Sequence, residues 1–371
     1  MFIKPFKYTH PDFKAIIDND IFFDQIKHNF PELKKAGAFI HGKRKSIFVY
    51  RIKTKTRMYH GVLAGVDIQD YISGNIKKHE NTLIAQEENI SSLMKLRNAI
   101  IKPVLLAYPQ RKSIKDLMVK SFLGKKPTFR LHFLREDQIH EFYAVKDPLI
   151  VKSFQKEFKS KVKKAYIADG HHRMASVSRL LEQNPELASN KLNYLLCALF
   201  DFDELSILPY NRTIKILDQV HEEDIYLRLT KLAKVTVLEK MRAPRKEHEL
   251  IFHFSHISYS VEWNADTLKY FKSKHKISQD VAIFNELVVK DIFGIKDYRN
   301  NSRIKYIEGI KPLKLMIKMV EDQEHTLAVS FFPIKVRDFI KVADSNLVLP
   351  PKSTWFEPRI KNGIIIQDFD S

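Results

Sequence analysis

Residues 165–181 read AYIADGHHRMASVSRLL and set Asp169, Gly170, His171, His172 and Arg173 between a short apolar run and an amphipathic one. The apolar run predicts a strand, and the pattern after it predicts a helix. A strand that turns directly into a helix leaves the first helical N–H groups without intrahelical acceptors. They point outward with the positive end of the helix dipole, which suits an anion. Gly170 lets backbone approach a ligand closely and can take positive φ. Arg173 adds a planar fork matched to phosphate oxygens. His171 and His172 add donors that titrate near neutral pH, but adjacent residues do not face one point of a helix, so at most one of the two works on the ligand. Asp169 could hold a metal, orient a histidine or cap the helix. The set asks for phosphate more than for an apolar substrate. It does not suit zinc, because no i,i+4 histidine pair or cysteine partner accompanies it.

Three further stretches carry candidate residues. KKHENT brings Lys77, Lys78, His79, Glu80 and Thr82 together between Gly74 and a helical pattern. A glutamate beside a histidine, flanked by lysines, could be a general base or a magnesium ligand; the alternative is a solvated loop that caps the next helix. SILPYNRTIK places Asn211 and Arg212 after Pro209. PPKSTWFEPRIKNG holds one of the two tryptophans, and its Lys352, Ser353 and Thr354 could contact phosphate or simply belong to a docked tail.

The elements that must position these residues follow from hydrophobic period. DFKAIIDNDIFFDQIKHNF reads as helical. SIFVYRIKT alternates as a strand, and RMYHGVLAGVDIQDYI reads as strand, then turn or helix. AQEENISSLMKLRNAII is a helix, IKPVLLAYP a buried strand ended by Pro109, HEFYAVKD a strand and SFQKEFKSKV a helix. After the central stretch, NYLLCALFDF is a buried strand and LSILPYNRTIKIL closes the first half. From about residue 217, DQVHEEDIYLRLTKLAKV reads as helix and HELIFHFSHISYSVEW as two antiparallel strands. QDVAIFNELVVKDIFGI is helical, and HTLAVSFFPIKVRDFIKVAD is strand then helix. This mixed order predicts an α+β protein in two parts, 1–216 and 217–371, the second with a tail that folds back.

Bulk properties narrow the class. The 371 residues exceed one small core, and 44% hydrophobic with 29% charged residues is an ordinary globular composition. No apolar run is long enough to span a bilayer, and MFIKPFKYTHPDF lacks the apolar core of a signal peptide, so a cytoplasmic protein without membrane partners is expected. The single cysteine, Cys197, sits in NYLLCALF, where it reads as a buried small hydrophobe; one cysteine excludes an internal disulfide framework and a multi-cysteine metal site. The net charge of +19 favours polyanions. Its lysines are scattered from end to end, however, and no helix-turn-helix, zinc-finger or RNA-binding signature is present. Nucleic acid therefore stands as the alternative partner, through a lysine-rich surface.

HENT, RNAIIKPVLLAYP, YIADGHHR, PYNR, IFGIKDYR and PPKSTWFEP, in this order and nearly end to end, resemble an uncharacterised bacterial and archaeal family marked by ADGHHR. That family is similar to the ParB/sulfiredoxin superfamily, whose members hold nucleotide phosphates with a glycine-plus-basic loop at a helix start. The superfamily includes CTP-dependent partition proteins, ATP-dependent sulfinic-acid reductases and free-serine kinases. The resemblance implies a nucleotide core in 1–216 with an N-terminal extension. It implies that Asp169, Gly170, His171, His172, Arg173, Asn211 and Arg212 bind nucleotide, and that Glu80 and Asp169 bind Mg²⁺. Catalysis is implied for Glu80 as base, with His79 and His172. The implied reaction is phosphoryl transfer from ATP or ADP to a small-molecule hydroxyl, free L-serine first; the alternative is a non-catalytic, ParB-like nucleotide-responsive module. The basic loop lacks the cysteine of sulfiredoxin chemistry. The chain also departs from its relatives: DFKAIIDNDIFFDQIKHN stands where they carry a Pro-Tyr-Asp-Val-like segment, and if that segment helps form the substrate pocket, specificity or activity has changed.

Overall fold

The computed structural model describes residues 1–184, 192–217, 220–299, 301–323 and 325–369. The chain forms two compact units, 1–206 with 358–371, and 207–357. The protein is mixed α+β, as its element order predicts.

The first unit is built on a nine-stranded mixed sheet. Its strands are β1 (Ile3–Lys4), β2 (Ile47–Lys53), β3 (Met58–Asp67), β4 (Ile76–Lys77), β5 (Val104–Tyr108), β6 (Phe129–Phe133), β7 (Gln138–Val145), β8 (Ala165–Asp169) and β9 (Tyr194–Asp201). They lie in the order β4-β8-β5-β9-β3-β2-β7-β6, with β1 beside β3. The β4–β8 and β5–β9 pairs are parallel, and the others are antiparallel. All five residues of β5 and seven of eight in β9 are buried. Such continuous apolar runs mark strands covered on both faces. Cys197 lies in β9, fully buried, and burial pushes its thiol well above the usual range.

Helices α1 (Asn19–Lys35), α2 (Ile84–Arg97), α3 (Lys112–Phe122), α4 (Pro148–Lys161) and α5 (His171–Gln183) accompany this sheet. The N-terminal helix begins later than its pattern suggests. Asp18 caps it by accepting from the Ile21 N–H, residues 12–18 are non-helical, and the backbone kinks at Asn29 ahead of Pro31.

The second unit holds a seven-stranded sheet of β10 (Ser206–Lys215), β11 (Ala233–Val237), β12 (Glu249–His253), β13 (Ser258–Trp263), β14 (Ile304–Glu308), β15 (Thr326–Phe331) and β16 (Thr354–Glu357). The order is β11-β13-β12-β15-β10-β14, with β16 beside β10. The second compact unit begins at Ile207. SILPYNRTIK does not close the first sheet; it is β10, paired with β14 and β15. The tail 358–371 counts with the first unit. The helical stretch expected from 218 is shorter as well. The helix runs Glu222–Leu232 and its β-branched end becomes β11, while Asp218 and Gln219 lie outside the described residues.

Candidate functional site

Residues about ninety positions apart meet through two short parallel strands. Ala165 pairs with Ile76 and Tyr166 with Lys77, so β8 and β4 leave the sheet at the same end. Two residues beyond β4 come His79 and Glu80; at the end of β8 come Asp169 and Gly170. The register of β8 against β5 shifts between Ile167 and Asp169, an irregularity that re-aims the strand end. Gly170 then takes φ 102° and starts α5 without any side-chain cap. Met174, Val177, Leu180 and Leu181 form the buried stripe of α5 at helical spacing. The Ser176 hydroxyl donates to the Glu87 carbonyl at 2.9 Å and ties α5 to α2. The open helix start is therefore held by packing on the far side.

Position 170 favours glycine. Besides the positive φ, an added Cβ would lie 2.5 Å from an Arg173 guanidinium nitrogen and 2.9 Å from its central carbon. The guanidinium is folded back over Gly170 because Asp169 holds it, at 2.8 Å. Asp169 also accepts from Arg359 at 2.6 Å and faces the Lys102 ammonium at 3.2 Å. Burial alone would raise this carboxyl; Arg173, Lys102 and Arg359 reverse that and hold it well below the usual carboxylate range. Asp169 thus organises three cations. Both of its oxygens are taken by them.

The adjacent histidines separate as helix geometry requires. His171 is buried, its ring edge-on to His79 at 4.4 Å between centroids, with Nδ1 3.8 Å from the Glu80 carboxylate. Its Nε2 is buried and has no hydrogen-bond partner among the described residues. Burial, offset in part by Asp169, brings His171 down to about 3, so it is neutral at physiological pH. His79 is almost fully buried and bonded to the Ile167 backbone; burial and His171 push it well below its ordinary value. His172, expected to take part in catalysis, instead accepts from the Leu83 N–H at 3.4 Å, at the start of α2. It is His171 that meets Glu80. The Glu80 side chain is 29% exposed, so its carboxylate reaches solvent beside the open helix start.

Sequence reasoning passed over two cations of this cluster. Lys102 precedes β5, whose Leu105 lies opposite Asp169, so antiparallel pairing brings it to the end of β8. Arg359 is delivered by the tail. There the Gly363 N–H donates to the Ile101 carbonyl at 2.6 Å, and Gln367 and Asp368 pair with Ile100 and Ala99. Both residues stand in quoted segments, but neither carries a local signal.

Asn211 and Arg212 occupy a different setting, in β10 of the second unit. Arg212 is fully buried; it donates to the Asn285 side-chain oxygen at 2.6 Å and lies 5.1–5.5 Å from the rings of Phe331, Tyr306 and Phe284. Asn211 accepts from the Phe331 N–H at 3.1 Å. Both serve that unit's interior. Lys352 lies over the Tyr210 ring, and Ser353 donates to the Pro350 carbonyl.

The chain belongs to a family described as protein of unknown function (DUF1015), whose sequence model matches residues 7–286. No protein with a curated description matches it. Solved structures with a similar course include a free serine kinase in complex with AMP, at 14% identity over 82% of this chain and 89% of that one, with a TM-score of 0.38. SbnI with a C-terminal truncation, from Staphylococcus aureus, is 11% identical over 81% and 85%, TM-score 0.40. A conserved hypothetical protein from Pyrococcus furiosus is 15% identical over 84% and 96%, TM-score 0.38. Likenesses at this level carry no argument. No helix among the described residues is long and apolar enough to cross a membrane.

Proposed function

We propose that the turn from β8 into α5 holds the phosphates of ATP or ADP, within a ParB/sulfiredoxin-like core, and that the protein transfers a phosphoryl group to the hydroxyl of a small molecule. Free L-serine is the first acceptor to test, as the family resemblance implies. One observation carries the reading: an uncapped helix start, a glycine that admits no side chain, and Arg173 stand beside a solvent-reaching carboxylate, Glu80, on the neighbouring parallel strand end. The first half of that set binds an anion. The second half adds a base.

Phosphoryl transfer depends mostly on positioning and charge neutralisation. The first amides of α5 and Arg173 hold the phosphates. Glu80 accepts the proton of the acceptor hydroxyl, whose oxygen attacks the terminal phosphorus; the bond to the bridging oxygen breaks, and that oxygen leaves with the electron pair on the nucleotide. His171 stays neutral and packs against Glu80 and His79, which fixes the carboxylate's direction. Magnesium, when bound, would supply charge neutralisation. Glu80 is the carboxylate placed to reach it, since Asp169 is engaged; a metal held chiefly by phosphates and water needs only one or two carboxylates. Among the described residues no three His, Cys, Asp or Glu side chains form a metal-sized group.

The experiment is incubation of the purified protein with Mg²⁺, L-serine and either ATP or ADP, with mass spectrometry for O-phosphoserine. Product that disappears in Arg173→Ala supports the reading and names the donor. Nucleotide binding without product from serine or other small hydroxyl compounds would refute the transferase assignment.

A further inference from the structure

The cluster around Asp169 is unbalanced. Lys102, Arg173 and Arg359 converge on one carboxylate, at 3.2, 2.8 and 2.6 Å. Among the described residues these three cations meet one carboxylate, two positive charges more than it neutralises. The side chains are between 22% and 28% exposed, so each is largely desolvated yet open on one side. Burial and the two neighbouring guanidiniums lower the Lys102 ammonium in spite of Asp169. Like charges gathered in a half-buried place repel unless an anion joins them. If stability alone were served, two of these side chains would be better placed in water. The uncapped start of α5 adds a further positive end at the same spot.

We propose that Arg359 and Lys102 are phosphate-binding residues of this site, so that the C-terminal return segment supplies part of the nucleotide pocket. The proposal rests on the reading of the turn as a nucleotide site and adds to it two residues outside the ADGHHR stretch. The ligand part they take is a phosphate group carrying at least two negative charges, as at the end of a nucleoside diphosphate or triphosphate. Asp169 is then a positioning residue: it holds the three cations at one place before the ligand arrives, and it is too strongly paired to take a proton itself. The arrangement also explains the path of the tail. Its Ile364, Ile365 and Ile366 are buried and its strand pairs with Ala99–Ile100, which sets Arg359 beside Lys102.

An ordinary structural ion pair and a ligand-binding cation predict opposite results. Because the cluster is overcharged, removing Arg359 leaves Asp169 still paired with Arg173 and Lys102. The unliganded protein should therefore unfold at the same temperature as wild type or higher, while anion binding is lost. The test is isothermal titration of the full chain with ADP and, separately, with inorganic pyrophosphate, for wild type, Arg359→Ala, Arg359→Lys and Lys102→Ala, each with its unliganded melting temperature. The expected result is at least tenfold weaker binding of both probes in Arg359→Ala and Lys102→Ala, recovery of most of the loss in Arg359→Lys, and no fall in melting temperature. Binding equal to wild type in Arg359→Ala, or in Lys102→Ala should the first variant fail to fold, overturns the proposal and leaves the nucleotide reading intact. Weakened binding accompanied by a lowered melting temperature in both alanine variants overturns it in favour of a structural pair. If wild type binds neither probe, the nucleotide reading itself falls, and this proposal with it.

Discussion

Arg173 and Arg212 were nominated by the same kind of signal, a basic residue in a short polar motif next to a strand, and the structure gives them opposite surroundings. Arg173 lies on a carboxylate at the rim of an open helix start and is 22% exposed. Arg212 is completely buried in the second unit, held by one amide oxygen and three aromatic rings. No carboxylate pairs with it among the described residues, and burial pushes its guanidinium down to about 10. An arginine at a rim with an excess of like charge is arranged to meet something. An arginine sealed among rings is arranged to hold a core together, its charge tolerated through cation–π contact. The difference lies in the environment, which a motif does not state.

Predictions that separate the two begin with the largest effect. Glu80→Gln, beside the Arg173 site, should lower turnover by about 10²–10⁴-fold, the usual worth of a positioned base, while ADP binding measured by titration stays near wild type. Arg212→Ala should leave ADP affinity unchanged and lower stability in urea denaturation by about 3 kcal/mol, as truncation of a large buried side chain does. Arg212→Met, which keeps volume and removes the buried charge, should recover most of that loss. If Arg212→Ala instead weakened ADP binding in the folded protein, the comparison would break. Gly170→Ala should cost about 1–3 kcal/mol through its positive φ and should also displace the Arg173 guanidinium, so stability and ADP binding fall together.

The smallest effect concerns pH. His171 and the fully buried His140 both lie at about 3, each lowered chiefly by burial. The unfolded chain takes up protons on both below about pH 6.5 and the folded chain does not until near pH 3, so stability should fall as pH drops through that window. His171→Gln should make the decline shallower in a series of melts, by up to about 1.4 kcal/mol per pH unit. An unchanged slope would place protonated His171 in the folded site.

How much of this was legible in the sequence follows from range. The strand, glycine and helix of 165–183 are local, and hydrophobic period with one Gly revealed them. That His79 and Glu80 belong beside Asp169 depends on a parallel pairing with a strand of two residues, too short to leave a pattern; there the family resemblance supplied what period did not. Lys102 and Arg359 were hidden among 63 lysines and arginines, because nothing local distinguishes a cation that will meet Asp169 from one on a solvated face. The alternating period of 206–215 marks a strand but does not announce which sheet it joins. The choice between His171 and His172 was open in sequence, and the rotation of α5 against Glu80 and Leu83 settled their placement.

If the overcharged turn at the start of α5 binds phosphate, ADP affinity must depend on Arg173 and on salt. The measurement that tests it most directly is the equilibrium affinity of ADP for wild type and Arg173→Ala at two salt concentrations. Wild type should bind ADP less tightly as salt rises, and the variant should bind at least tenfold more weakly with a smaller salt dependence. Equal affinity and equal salt dependence in the two proteins would contradict it.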